Sequence, residues 1–92
     1  MAIQLKQVAE KFSMSEQELT LESLRAFLID KLHLLDSERR ARCAKFGVTS
    51  LEEMDELIRK GLVEEENIME DFQNVDYLTA RIGWIRQLLE EL

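Results

Sequence analysis

Apolar positions along this chain recur every three or four residues over two long stretches, and that rhythm predicts two long amphipathic helices. In the first, over residues 15–46, Leu19, Leu21, Leu24, Phe27, Leu28, Leu32, Leu35, Cys43 and Phe46 fall on or near one broad face. Ile29 and Leu34 lie off the main stripe and widen it, which suggests contact with more than one neighbour. In the second, over residues 64–92, Ile68, Phe72, Val75, Leu78, Ile82, Ile85, Leu89 and Leu92 keep a coiled-coil-like rhythm, broadened by Met69, Tyr77, Trp84 and Leu88. Between them, Thr49 or Ser50 followed by Glu52 and Glu53 is a helix-start signal, and Gly61 a stop. This predicts a short helix over residues 50–60, with Leu51, Met54, Leu57 and Ile58 on its apolar side. Gly47 is placed to end the first long helix. Two long helices joined through a short one bury both stripes only by running antiparallel. The expected fold is therefore all-α, a single domain built on a long antiparallel helical hairpin. Phe46 should lie near Ile68, and Leu35 near Leu78.

The segment 1–14 reads less simply. Ile3 and Leu5 alternate with Gln4 and Lys6, which fits a short strand or the first turns of a helix over residues 2–8. Val8 to Phe12 reads as a brief helix. Ser13 or Ser15 can cap the long helix, with Glu16 or Glu18 completing a capping box. The same segment resembles the turn of a helix-turn-helix, and Ile3 to Val8 could instead form the strand of a ribbon-helix-helix dimer. Basic residues are sparse there, so nucleic acid is not an expected partner except through this segment.

Composition reinforces the helical reading. The 92 residues include no proline and only three glycines. A chain this short, drawn into long helices, has little core, so a homo-oligomer, a dimer first, is expected. The net charge of -7 repels nucleic acid and anionic membranes and would attract a basic partner. Residues 31–47 carry Lys31, Arg39, Arg40, Arg42 and Lys45 against Asp36 and Glu38. Residues 50–71 carry Glu52, Glu53, Asp55, Glu56, Glu64, Glu65, Glu66, Glu70 and Asp71 against Arg59 and Lys60. In a hairpin these segments face each other, so some pairing is internal. Arg39, on the apolar stripe, is expected to pair with Asp71 or Asn74. No apolar run approaches a membrane span, no signal-peptide pattern opens the chain, and the single Cys43 suits a reducing compartment, so the cytoplasm is the expected location.

Catalytic chemistry finds no support. Cys43 and His33 are the one Cys–His combination, ten residues apart on one predicted helix and about 15 Å along its axis, so they do not meet. Runs such as Glu64-Glu65-Glu66 diverge around a helix and do not make a metal cage. No glycine-rich phosphate loop exists. No cofactor, metal site or catalytic residue is expected. Gly83 stands alone in the second helix, either to admit a close neighbour or as a tolerated exception.

Four stretches carry a resemblance. Val8-Ala9-Glu10-Lys11-Phe12-Ser13-Met14-Ser15 and Glu22 to Leu28 are similar to the opening of small bacterial and archaeal antitoxin-like proteins. Lys45-Phe46-Gly47-Val48-Thr49-Ser50-Leu51-Glu52-Glu53 and Glu70-Asp71-Phe72 resemble their connector and second long helix. The resemblance implies a type II antitoxin component that wraps a toxin, often a basic ribonuclease. It assigns no functional residue by position. On the residues themselves, the acids Glu52, Glu53, Asp55, Glu56, Glu64, Glu65, Glu66, Glu70 and Asp71 would meet a basic partner, with Met69, Tyr77 and Trp84 as apolar anchors. The alternatives are a structural helical-hairpin homo-oligomer and a DNA-binding regulator.

Overall fold

The computed structural model describes residues 2–92; Met1, the first residue of the N-terminal segment, lies outside them. Four helices occur in order: α1 (Leu5–Lys11), α2 (Glu16–Ala44), α3 (Leu51–Arg59) and α4 (Glu65–Glu91). No strand occurs among the described residues, so the ambiguous residues 2–8 resolve in favour of helix from Leu5 onward. The start of α1 is held by a capping box in which the Gln4 N–H donates to Gln7 Oε1 at 3.1 Å.

Local signals set the other boundaries. At the start of α2 the Glu18 N–H donates to Ser15 Oγ at 3.0 Å, and the Glu18 carboxylate reaches back to the Ser15 N–H. At α3 the Glu53 N–H donates to Ser50 Oγ at 3.1 Å, while the Thr49 N–H donates to Glu53 Oε2 at 2.7 Å. Thr49 and Ser50 thus share the work of one cap. Gly47 and Gly61 both adopt positive φ. At each, two backbone bonds close the same pattern: Val48 N–H to Cys43 O with Gly47 N–H to Ala44 O, and Leu62 N–H to Leu57 O with Gly61 N–H to Ile58 O. These are Schellman terminations, in which a left-handed residue turns the chain and satisfies the last carbonyls.

α2, 29 residues long, and α4, 27 residues long, pack antiparallel along their length. α3 packs on α4 at the connector end, and α1 packs on α2. The core lies where three helices meet. Cys43, Met54, Ile68 and Val75 are fully buried there, with Phe46, Val48, Leu51, Leu57, Ile58, Val63 and Phe72 around them. Phe46 and Ile68 thus share one cluster, as the antiparallel register requires. Burying an Ile or Met side chain contributes about 1.5–3 kcal/mol, so this cluster anchors the fold.

Away from the connector α3 no longer contributes, and α4 is the helix that faces α2. Leu78, Ile82 and Ile85 still bury their side chains. Leu21, Leu24 and Phe27, assigned by the sequence to the buried stripe, do not: they are 39%, 48% and 58% exposed. The physical reason is that one facing helix covers only part of so wide a stripe. The molecule is correspondingly long, 60 × 28 × 16 Å, with a radius of gyration of 19.1 Å; a compact domain of this length would have about 12 Å.

Candidate protein-interaction surface

The acids expected to form one surface divide among several roles. Asp71 turns inward: it is 8% exposed, and its Oδ1 accepts from Arg42 Nη1 at 2.9 Å and from Lys45 Nζ at 3.1 Å. This corrects the expected pairing of Arg39 with Asp71 or Asn74: the register brings Asp71 one helical turn nearer the connector, and the Asn74 amide donates to the Glu70 carbonyl at 2.9 Å. Arg39 instead donates to Asp36 Oδ1 and to the Thr49 carbonyl, both at 2.9 Å, and ties α2 to the start of α3. Arg42 Nε lies 3.5 Å from Glu38 Oε1 without a hydrogen bond and is buried unpartnered.

Of the remaining acids, Glu53 is part of the α3 cap. Asp55 pairs with Arg59 at 3.2 Å, and Glu56 with Lys60 at 2.9 Å and also with Arg59. The hydrogen bond and charge of Lys60, with Arg59, hold the Glu56 carboxyl below its ordinary pKa of 4.5. Partial burial disfavours the charged form of Asp36, but the hydrogen bond and charge of Arg39, helped by Arg40 and Arg86, outweigh it and keep that carboxyl below 3.8. Glu52, Glu64, Glu65, Glu66 and Glu70 are exposed and take part in no side-chain ion pair among the described residues. Met69 is half-buried beside them.

Tyr77 and Trp84 lie elsewhere, well along α4, where they are 58% and 56% exposed. Arg81 stands between them, its guanidinium 5.5 Å from the Tyr77 ring and 5.6 Å from the Trp84 ring. Trp84 borders a groove between α2 and α4, lined also by Phe27, Leu28, Lys31, Leu35, Arg81, Ile85 and Leu88. Leu35 thus joins Arg81 and Ile85 in this groove. The apolar surface continues over Leu24, Glu91 and Leu92 toward the open end. Lys31 lies 5.8 Å over the Phe27 ring, so both cations on this face cover aromatic rings. Phe27, Leu24 and Leu88 are surface residues that sequence reasoning did not nominate; the excess width of the first stripe was the signal that could have found them.

The exposed area is large for the size of the chain. The protein exposes 7018 Å², against about 5,500 Å² for a compact monomer of its mass. Part of it is the apolar groove beside Trp84 and its extension over Leu24 and Leu92, and an exposed apolar patch of this kind rimmed by polar groups marks an interaction face.

Other chemistry is thinly represented. No three His, Cys, Asp or Glu side chains come together as metal ligands among the described residues. The Cys43 thiol is fully buried, and burial pushes its pKa above the ordinary 9.0, which suits a packing role. No helix of the described residues is long and apolar enough to cross a membrane. A cleft on another part of the surface brings Asp36, Arg39, Ser50, Glu52, Thr79, Gly83 and Arg86 together with the apolar Leu51 and Ile82. A Cβ built at Gly83 meets nothing within 4 Å, so no part of this chain approaches it closely.

Fold and surface together define a class: an all-helical hairpin with a small three-helix core at one end and an uncovered apolar face toward the other. Residues 1–92 match the Uncharacterized protein MJ0235 family, and the chain belongs to it. It is 25% identical over 76 residues to the Uncharacterized protein MJ0235 of Methanocaldococcus jannaschii, covering 83% of this chain and 93% of that relative. No solved structure matches it.

Proposed function

We propose that this protein is a non-enzymatic protein-binding module whose main recognition surface is the open apolar face around Trp84. The observation that carries this reading is the exposure of Leu24, Phe27 and Trp84 beside one continuous groove. Aromatic anchors of this kind contribute most of the free energy in protein interfaces. The proposed setting is the cytoplasm, whose reducing conditions suit the free thiol of Cys43.

A second reading, of the antitoxin-like type, places a basic protein against the acidic end. It is favoured by the ion pairing there: Glu52, Glu64, Glu65, Glu66 and Glu70 are uncommitted, while Arg42, Lys45, Arg59 and Lys60 already have acidic partners. Charge complementarity would then set the association rate.

Affinity capture from the native cell, with wild type and two variants, separates the readings. Loss of a stoichiometric bound protein on Trp84→Glu, with retention on reversal of Glu64, Glu65 and Glu66 to Lys, supports the apolar face. The opposite pattern, with release by salt, supports the acidic end. A bound protein that survives both changes overturns both readings.

A further inference from the structure

Three features of the open face bear on what covers it. The first is area: the chain exposes 7018 Å², about 1,500 Å² more than a compact monomer of its mass. A standard interface removes about 800 Å² from each partner, and obligate homodimers remove more. Covering this face with an interface of standard size would therefore remove about half of that surplus. The second is shape. The same patch carries both a projecting aromatic side chain, Trp84, and the apolar groove beside it, floored by Leu28, Ile85 and Leu88. A surface holding both knob and hole is complementary to itself, the requirement of a two-fold interface.

The third is charge along α4. Tyr77 and Glu91 stand seven residues to either side of Trp84, each about 10 Å from it along the axis. A two-fold axis through Trp84 sets Tyr77 of one copy opposite Glu91 of the other. Arg81, one turn closer to Trp84, then comes within reach of that same carboxylate. Its cation is meanwhile held over two aromatic rings at the edge of the face. Arg81 therefore meets an acid in the second copy.

We infer that a second copy of this chain covers the open face, its hairpin packing antiparallel on the first so that α2 and α4 of both copies form a four-helix bundle. This rests on the proposal that the open face is the recognition surface. The two acidic ends then point away from each other, which keeps the repulsion between two copies of net charge -7 small.

Sedimentation equilibrium and fluorescence test the inference together, because Trp84 is the single tryptophan. Wild type should sediment at twice the mass of one chain at micromolar concentration, and no more weakly in high salt. Its emission should shift to the red on dilution, as Trp84 leaves the interface for water. Trp84→Glu and Phe27→Glu should each sediment as monomers with the far-ultraviolet circular dichroism of wild type. If either variant unfolds, charge reversal supplies the check: Glu91→Lys weakens the dimer several-fold, and adding Arg81→Glu restores it. A monomeric wild type overturns the inference, as does a dimer untouched by all of these changes. An apolar dye separates the two levels of failure. A monomeric wild type that binds the dye, and loses it on Trp84→Glu, leaves the face as a recognition surface for another protein; one that binds no dye removes that reading too.

Discussion

Asp71 shows how one carboxylate can hold two helices together. It is nearly buried on α4 and takes both Arg42 and Lys45 of α2, so it fixes the hairpin register at the connector end. Removing it leaves Arg42 partly buried with one fewer acceptor. Asp71→Ala should therefore lower stability by about 1–3 kcal/mol. The lower end is expected, because the Arg42 and Lys45 side chains remain 26% and 59% exposed and water partly replaces the lost acceptor. Urea unfolding measures the change, and no change would mean that the attraction is fully offset by desolvation. Gly83 gives the opposite sign. It sits inside α4, and a methyl group there meets open space. Gly83→Ala should stabilise the protein by about 1 kcal/mol through helix propensity alone. A loss of stability would reveal a close neighbour at that position. Neither partner of Asp71 was legible in the sequence, since Arg39, Arg42 and Lys45 all stand within two turns and only the packed register chooses among them.

Three of the four helices end by the same device, and the sequence announced two of them through Gly47 and Gly61. The third is less conspicuous. α1 ends with Met14 N–H bonded to Ala9 O and Ser13 N–H bonded to Glu10 O, and Ser13 itself adopts φ 55°. By sequence alone, Ser13 and Ser15 are equivalent candidates to cap α2. In the structure Ser15 caps α2, while Ser13 turns the chain out of α1 at a left-handed position that costs a non-glycine residue about 1 kcal/mol. Ser13→Gly should accordingly raise stability by up to about 1 kcal/mol, seen as a higher thermal midpoint, unless the entropy of the unfolded glycine cancels the gain. The start of α3 was far more legible, because Thr49, Ser50 and Glu53 make their bonds within five residues of chain. Element boundaries of this kind are local transactions between neighbours, and so they survive without knowledge of the rest of the fold.

For the whole molecule, acid is the informative perturbation. Asp36 and Glu56 both have pKa values lowered in the folded state, from 3.8 and 4.5. A group of this kind adds stability that is fully present above its unfolded pKa and lost as the pH falls through its folded one. Stability should therefore be flat near neutrality, begin to fall near pH 4.5 as Glu56 protonates in the unfolded chain, and fall further below pH 3.8 with Asp36. Stability that is unchanged between neutral pH and strong acid would mean these pairs contribute nothing net. Asp36 matters more to the architecture, since Arg39 links it to the carbonyl that precedes α3. At this scale the division between sequence and structure is clear. The amino-acid order by itself determined the three later helices, most of their caps, the antiparallel pairing of the two long ones and the acidic character of the connector end, because each follows from near neighbours or from a period of three to four residues, whereas residues 2–8 stayed open between strand and helix. Only the tertiary structure decided that Asp71 faces inward, that Arg39 serves α3, and that Leu24, Phe27 and Trp84 stand on an uncovered face. Periodicity marks a residue as apolar and on a stripe, but whether that stripe meets a helix or open solvent depends on which helices pack at that level of the hairpin, and α3 covers it only at the connector end.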